Sequence, residues 1–349
     1  MLLLLTSAAH APVAAWMEAE CARRGVPHLR LYTEEFPQEI ELSARPTEAG
    51  LRGSLACGGG EIALDTIGGV WQYLAAEVQP DPELDEVAAR LVQQESRETL
   101  RGLYRALEHV PWINPPHIER AAGHRAYQLR LAAQLGLRTP RTLITNRPDH
   151  AATFLEECGG QMVYKPISPL VLTDADGEPT HVAYVTPITR ESLSEHAEGI
   201  ALSPCLFQEI VPKQRDLTVY VVGRRVWATA IESDGQTDEV DYRRGGLWSR
   251  PHRPALLPPA LERRCVQLTQ RMGLRMCNFD FVQTPDGEYV FLDANPTDLW
   301  AAIEQLVGFP ICASIVDELL GVDTLADHPY LRDRALEFAP SLYAMPKGA

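Results

Sequence analysis

Several things that would classify this chain at once are missing from it. Its seven cysteines, Cys21, Cys57, Cys158, Cys205, Cys265, Cys277 and Cys312, form no C-x-x-C pair, and their odd number argues against a disulfide frame. Reduced thiols in a cytoplasmic protein fit better than a disulfide or zinc scaffold. No apolar run approaches the ~18 residues of a membrane span. The opening Met1-Leu2-Leu3-Leu4-Leu5-Thr6 lacks a basic flank and is shorter than the roughly 7–15 apolar residues of a secretory signal, so it reads as a buried first strand. Cations are in deficit: 32 Lys and Arg face 47 Asp and Glu, a formal charge of −15, which weighs against nucleic acid as a partner. Cys57-Gly58-Gly59-Gly60 lacks the Gly-Lys-Ser/Thr ending of a phosphate loop and reads as a hairpin turn. Internal repeats and low-complexity tracts are absent as well.

What is present is an ordinary globular composition, 45% hydrophobic over 349 residues, with room for two or three domains at about 100–200 residues each. Residues 1 to about 110 read as βαβ-like. Strands are expected at Leu2–Leu5, His28–Tyr32, around Leu55 and Ile62, and at Ile67–Trp71, with helices at Val13–Arg24 and Asp85–Leu107. Pro111-Trp112-Ile113-Asn114-Pro115-Pro116 breaks the pattern and marks a boundary. A single helix is expected from about Ile118 to Leu135, then strand Thr142–Thr145, helix Pro148–Glu157, strand Met162–Lys165, a polar loop over 168–183, and a strand at Tyr184–Thr186. Lys165 at the root of that loop suggests a lid over phosphates. Strands Cys205–Val211, Leu217–Val222 and Val226–Ile231, helix Pro259–Met272 and a final helix Ile311–Leu320 complete the reading.

The richest stretch runs from Asp280 to Asn295. Pro285-Asp286-Gly287 between two apolar strands is a turn signal, because Pro presets φ and Gly supplies φ > 0. Side chains repeat every two residues along a strand, so Asp293 and Asn295 share a face, and a hairpin partner brings Asp280 opposite them. Three hard oxygen donors then converge, as a Mg²⁺ site holding nucleotide phosphates requires. The competing reading is three ordinary strand-end polar residues. Farther back, Asp241 is followed by Arg243, Arg244, Arg250 and Arg253 with no intervening acid, which is either a solvated face or a landing site for an anionic substrate.

The ordered set of Trp112-Ile113-Asn114-Pro115, Tyr127-Gln128-Leu129, Pro140-Arg141-Thr142-Leu143-Ile144-Thr145-Asn146, Tyr164-Lys165-Pro166, Phe207-Gln208-Glu209, Asp241-Tyr242-Arg243 and Phe291 to Pro296 followed by Trp300 resembles the ATP-grasp ligases. Within them it resembles the graspetide (microviridin-type) peptide maturases. The resemblance implies an α/β (α+β) ATP-grasp fold with an N-terminal βαβ-type pre-ATP-grasp domain over 1–115, a central subdomain with a phosphate-covering loop over 116–203, and a C-terminal subdomain with the metal site over 204–349. It implies ATP and Mg²⁺ as cofactors. Lys165 and Arg125 would hold phosphates, Arg125 standing where these ligases usually carry a first Lys. Gln208, Glu209, Ile210 and Val211 would form the adenine hinge, and Asp216 would take the ribose hydroxyls. Asp280, Asp293 and Asn295 would be the metal ligands, with Asp293 where the family normally has Glu. Arg243 would steady the acyl phosphate or the tetrahedral oxyanion, with Asp241 orienting it and Lys165 sharing the catalysis.

The implied partner is a ribosomal precursor peptide, a leader plus an acidic, Thr-rich core, acted on by a homodimer that engages neither nucleic acid nor membranes. Its carboxylates would be activated as acyl phosphates and joined to Thr or Ser hydroxyls or Lys amines. Two departures stand out: Thr218 where the family generally shows Arg, and Trp71-Gln72-Tyr73 in place of paired arginines. A second reading keeps the fold and ligates an amino acid or small acid to a peptide or metabolite. A third, prompted by the two departures, is a peptide- or nucleotide-binding module that has lost catalysis.

Overall fold

The computed structural model describes residues 1–48, 50–167, 171–173, 179–182, 185–232, 250–325 and 328. The chain begins with β1 (Leu2–Thr6), α1 (Ala11–Arg23) and β2 (His28–Tyr32), continues through β3 (Ile40–Thr47), β4 (Gly50–Cys57), β5 (Gly60–Ala63) and β6 (Gly69–Gln72), and reaches α2 (Glu86–Ala106) and β7 (Trp112–Ile113). Strands β2-β1-β6-β7 form a parallel sheet. Leu2 to Leu5 are fully buried because both faces are covered, as continuous apolar strands in parallel sheets require. Leu2 and Leu4 pack toward α1, while Leu3 and Leu5 join the core that includes Leu100 and Leu103 of α2. The separate β3-β4-β5 sheet contains a hairpin turned by Gly58 and Gly59, both at positive φ, so the Gly run is a turn. Strand β3 has no counterpart in the sequence reading: the polar run from Ile40 to Thr47 is half-solvated and carries a weak apolar signal.

Then follow α3 (Pro116–Ala122), α4 (Arg125–Gln134), β8 (Thr142–Thr145), α5 (Pro148–Glu157), β9 (Met162–Lys165), β10 (Val171–Thr173), β11 (Pro179–Val182), β12 (Thr186–Ile188), α6 (Arg190–Glu195), α7 (Ala197–Leu202) and β13 (Cys205–Glu209). The single helix expected over Ile118–Leu135 is two. Gly123 ends the first, and His124, at φ −78° and ψ 111°, is extended, so a new helix starts at Arg125. The strand expected at Tyr184–Thr186 runs from Thr186 to Ile188, and Tyr184 lies outside the described residues. Within the polar loop, β10 and β11 pair as an antiparallel hairpin; 168–170, 174–178 and 183–184 lie outside the described residues. Strands β12-β9-β13-β8 form an antiparallel sheet. Met162 and Phe207 pack with α5, α6 and α7 on one face, so alternation turns Val163, Lys165, Leu206 and Gln208 to the other.

The last sheet, β16-β15-β14-β17-β18, is antiparallel and built from β14 (Arg215–Val222), β15 (Arg225–Glu232), β16 (His252–Ala255), β17 (Met276–Gln283) and β18 (Tyr289–Asn295). Helix α8 (Pro259–Arg271) lies between β16 and β17 in the chain, and α9 (Trp300–Val307) and α10 (Ile311–Leu320) follow β18. Gly287, at φ +87°, closes the Thr284–Gly287 turn with its N–H on the Thr284 carbonyl at 2.9 Å. One face of this sheet, with Leu217, Val219, Phe279, Phe281 and Ala294, is buried against α8 and α4. On the other face the strand direction divides the surface. Tyr220 and Val222 are covered by α9, α10 and the N-terminal core, while Asp216 and Thr218 of the same strand are polar. Among the described residues, no helix is long and apolar enough to cross a membrane.

Candidate functional site

The uncovered half of that face forms the floor of the candidate site. Register places Thr218 of β14 opposite Asp280 of β17, and Asp280 opposite Asp293 of β18. Asn278 stands opposite Asn295, one pleat along. A polar stripe therefore crosses three strands whose reverse faces are apolar. A register shift between Asp280 and Phe281 lets β18 bend beside the acids. The Asn295 amide nitrogen lies 3.4 Å from Asp280 Oδ2 and 3.3 Å from Asp293 Oδ1, so the three residues meet. Among the described residues no group of three His, Cys, Asp or Glu side chains converges, and the third donor here is the amide. Turning that amide over presents an all-oxygen set, which suits a hard cation such as Mg²⁺.

Two cations from other parts of the chain close on the same carboxylate. Lys165, at the end of β9, is 6% exposed and ion-pairs with Asp293 Oδ2. Arg125, the first residue of α4, reaches the same oxygen at 2.7 Å and donates its Nε to the Pro166 carbonyl at 3.0 Å. The break at His124 places Arg125 at a helix start, where its guanidinium bridges β9 to β18. Burial alone would raise the Asp293 carboxyl, but the Lys165 and Arg125 charges overcome it and hold the group well below the usual carboxylate range. Burial pushes the Lys165 ammonium down, opposed by Asp293 and assisted by Arg125. Two cations beside an acidic cluster suit nucleotide phosphates bridged by a divalent ion.

The expected hinge is divided. Gln208 is buried and donates to the Thr142 hydroxyl at 3.1 Å. The Glu209 carboxylate turns to Arg141, accepting its backbone N–H at 2.9 Å and its Nε at 2.6 Å, so that side chain braces β13 to the start of β8. Burial would raise its pKa, but hydrogen bonds and charge from Arg141 lower it. Strand β13 stops at Glu209, so Ile210 and Val211, expected in the strand, form the connector to β14. Among the described residues their backbone N–H groups have no protein acceptor. Asp216 is buried and accepts from Lys213 at 2.9 and 3.3 Å. Arg243 and Asp241 lie outside the described residues.

Further polar residues join the site that carried no assigned role in the sequence. Thr218 donates to Asn278 Oδ1 at 2.6 Å, and Asp298 accepts from Asn278 at 2.6 Å and from the Tyr220 hydroxyl at 2.7 Å. Thr218 thus begins a hydrogen-bonded row along the floor. Gln128 is 1% exposed; its amide donates to the carbonyls of Ala122 and Ala294 at 2.7 Å and accepts from Ala294 N–H at 3.1 Å, fixing β18 between Asp293 and Asn295. Asn114 donates to the carbonyls of Met276 and Pro296 and accepts from the N–H groups of Arg275 and Met276. Asn278 was discoverable from its two-residue offset from Asp280. Asn114 and Gln128 stood within quoted motifs, but buried polar partners are visible only once the chain is folded.

Burial raises two carboxyls, Glu119 up to about 8 and Glu304 up to about 7. The folded protein keeps protons that the unfolded chain releases near the ordinary glutamate value of 4.5. The contribution is therefore complete below that value and is lost as pH rises through 7 and 8, because the folded state then binds the excess proton. The urea midpoint is expected to fall between about pH 5 and about pH 8.5, and Glu119→Gln is expected to flatten part of that slope.

Comparison with known proteins places the geometry. Residues 1–120 match the family described as the MvdD pre-ATP grasp domain. The macrocyclase MdnC of Microcystis aeruginosa MRC, solved with its precursor peptide MdnA, is similar at a TM-score of 0.80 and 26% identity, covering 92% of this chain and 99% of its own. Macrocyclase MdnB of the same organism is 29% identical at a TM-score of 0.75, covering 91% and 98%. A Chryseobacterium gregarium RiPP-associated ATP-grasp ligase, in complex with ADP and a leader and core peptide, has a TM-score of 0.84 at 23% identity, covering 92% and 96%, and supports the fold. Among curated proteins, a probable alpha-L-glutamate ligase of Marinomonas sp. (strain MWYL1) is 27% identical over 195 residues, which are 55% of this chain. The chain spans 61% of that relative's length.

Proposed function

We propose that this chain, which has the ATP-grasp fold and is similar to the macrocyclases MdnC and MdnB, is an ATP-dependent ligase acting on a ribosomal precursor peptide. It activates Asp or Glu side chains as acyl phosphates and joins them to Thr or Ser hydroxyls or Lys amines. The observation that carries this reading is the convergence of Lys165 and Arg125, from separate parts of the chain, on Asp293 beside Asp280 and Asn295.

A free carboxylate does not acylate an alcohol or amine at neutral pH, so the γ-phosphoryl group of ATP must first be transferred to it. The burden is positioning and charge neutralisation. Lys165 and Arg125 hold the phosphates, and the backbone at Ile210 and Val211 offers free N–H groups to an adenine edge. Asp280, Asp293 and Asn295 would hold Mg²⁺, which when bound neutralises phosphate charge. Arg243 with Asp241 steadies the acyl phosphate. Macrocyclase MdnC, solved with its precursor peptide, supports the peptide substrate. A homodimer in the cytoplasm completes the reading.

The test uses the purified chain, Mg-ATP and a synthetic peptide matching a short Thr-, Asp- and Glu-rich reading frame beside its gene. Peptide-dependent ADP release and loss of one water per cross-link by mass spectrometry are expected. The glutamate-ligase relative favours one alternative, ligation of an amino acid or small acid. ADP release that requires two small substrates and ignores the peptide would establish that alternative instead.

A further inference from the structure

Three carboxylates around the site are paired with cations: Asp293 with Lys165 and Arg125, Asp216 with Lys213, Glu209 with Arg141. Glu119 is different. With its amide nitrogen turned to the carboxylate, the orientation that satisfies both groups, Gln72 donates to the two Glu119 oxygens at 2.8 and 3.3 Å. Thr297 and Asn114 are its other polar neighbours, and both favour the carboxylate. All these partners are neutral, and Glu119 forms no ion pair among the described residues.

Its position is as informative as its partners. Gln72 ends β6, Glu119 stands on α3, and Thr297 follows the last residue of β18 by two positions, so three segments meet at this carboxyl. Asn114, a polar neighbour of Glu119, donates to the Pro296 carbonyl at 3.2 Å in the loop leaving the metal-binding strand. Part of the Glu119 surface stays open to solvent, although its surroundings are dense enough to push the carboxyl up to about 8. The titratable group that feels it is the Cys277 thiol of β17, itself raised by burial and by Asp298, Cys265, Glu119 and Asp280. His117 and Arg120, on its own helix, are exposed. Beside Asp298 is a second unmet group. Tyr73 is 2% exposed, its hydroxyl has no hydrogen-bond partner, and its phenol is raised by burial and by the Asp298 charge.

We propose that Glu119 is the acceptor-side base of the ligation and that the acceptor is an amine, so that the cross-link is an amide. The inference rests on the ligase reading above and names its second substrate. At neutral pH a primary amine arrives as an ammonium ion, whereas a hydroxyl brings no charge. The ionised form of Glu119, which grows in as pH approaches about 8, offers that ammonium a counter-charge that no cation among the described residues already claims. Glu119 takes one proton from it, and the freed nitrogen lone pair attacks the acyl phosphate carbonyl. The C–N bond forms, the C–O bond to phosphate breaks, and the electron pair leaves with phosphate. The second nitrogen proton departs as hydrogen phosphate, and Glu119 returns its own to solvent. A base poised near the working pH is the effective one for such a transfer.

Two synthetic precursor peptides that differ only in Lys or Thr at the acceptor position separate the possibilities. Cross-linked product is measured by mass spectrometry, and acyl phosphate is trapped with hydroxylamine as the hydroxamate. The wild-type protein is expected to close the Lys peptide in preference to the Thr peptide. In Glu119→Gln, closure is expected to fall about 100-fold, the low end of general-base effects, while trapped hydroxamate accumulates. Glu119→Asp restores part of the closure, and it carries the test if the Gln variant folds poorly. Preferential closure of the Thr peptide, or closure by Glu119→Gln within about threefold of wild type, overturns the inference and leaves the ligase reading standing. If wild type releases no ADP with either peptide, the ligase reading falls and takes this inference with it.

Discussion

Asp293→Asn is expected to lower peptide-dependent ADP release about a thousandfold, the scale on which losing one preorganised charge at a reacting group is felt. Asp293 is the point at which the three parts of the cleft meet. Its Oδ2 takes Arg125 at 2.7 Å as well as the Lys165 ammonium, and its Oδ1 lies 3.3 Å from Asn295. The amide replacement keeps the shape and removes the charge. Lys165 then loses its anion in a site where burial already disfavours the ammonium, and the metal-binding set loses a carboxylate. Asp293→Glu keeps the charge one methylene farther out, where the resembled family normally carries it, and is expected to retain far more activity than the amide. Steady-state ADP release with each variant checks this. Activity of Asp293→Asn within tenfold of wild type would mean that the carboxylate is structural.

The largest effect on stability is expected at Asp317→Ala, a loss of about 3–5 kcal/mol, typical of removing one partner from a buried charge network. Asp317 is fully buried on α10. It ion-pairs with Arg24, accepts from Arg225 at 2.8 Å, and takes the Thr324 N–H and hydroxyl at 2.9 and 2.8 Å. Alanine would leave Arg24 with Glu20 and Arg225 with Asp323 as their remaining carboxylate partners, in side chains that are 9% and 11% exposed. This matters to function because α10 covers the apolar half of the sheet whose polar half is the site, and Arg24 and Arg225 anchor it to α1 and β15. Urea denaturation should show a lower midpoint with an unchanged slope. A shift below about 1 kcal/mol would show that the arginines find water when Asp317 is gone.

Much of the fold was legible because local chemistry agreed with it. Pro285-Asp286-Gly287 announced the hairpin, and the alternation along Tyr289 to Asn295 put Asp293 and Asn295 on one face before any partner was known. The apolar run Leu2–Leu5 announced a strand buried on both sides. Elsewhere the local signal pointed the wrong way. The stretch from Ile118 to Leu135 carries helical periodicity throughout, yet His124 is extended because the turn there starts α4 at Arg125 and sends its guanidinium to Asp293. Strand β13 ends at Glu209 rather than Val211, because the Glu209 side chain is tied to Arg141, just before β8 and 68 positions away. Strand β16 and helix α9 were invisible because each is stabilised mainly by what it packs against.

Sequence alone determined the period-two faces, the turn that pairs Asp280 with Asp293, and the identity of the charged and polar groups available for a metal and phosphates. Those are properties of neighbours along the chain, and strand geometry dictates them. Tertiary structure decided which charges neutralise one another. Lys165 and Asp293 are separated by 128 positions, Arg125 and Asp293 by 168, and no local rule specifies pairs so far apart. It also decided that Glu119, an unremarkable acid in a short helix, meets Gln72 and Thr297 with neutral partners alone. A carboxyl's chemistry depends on its dielectric surroundings and its counter-charges, and both exist only after the three segments come together.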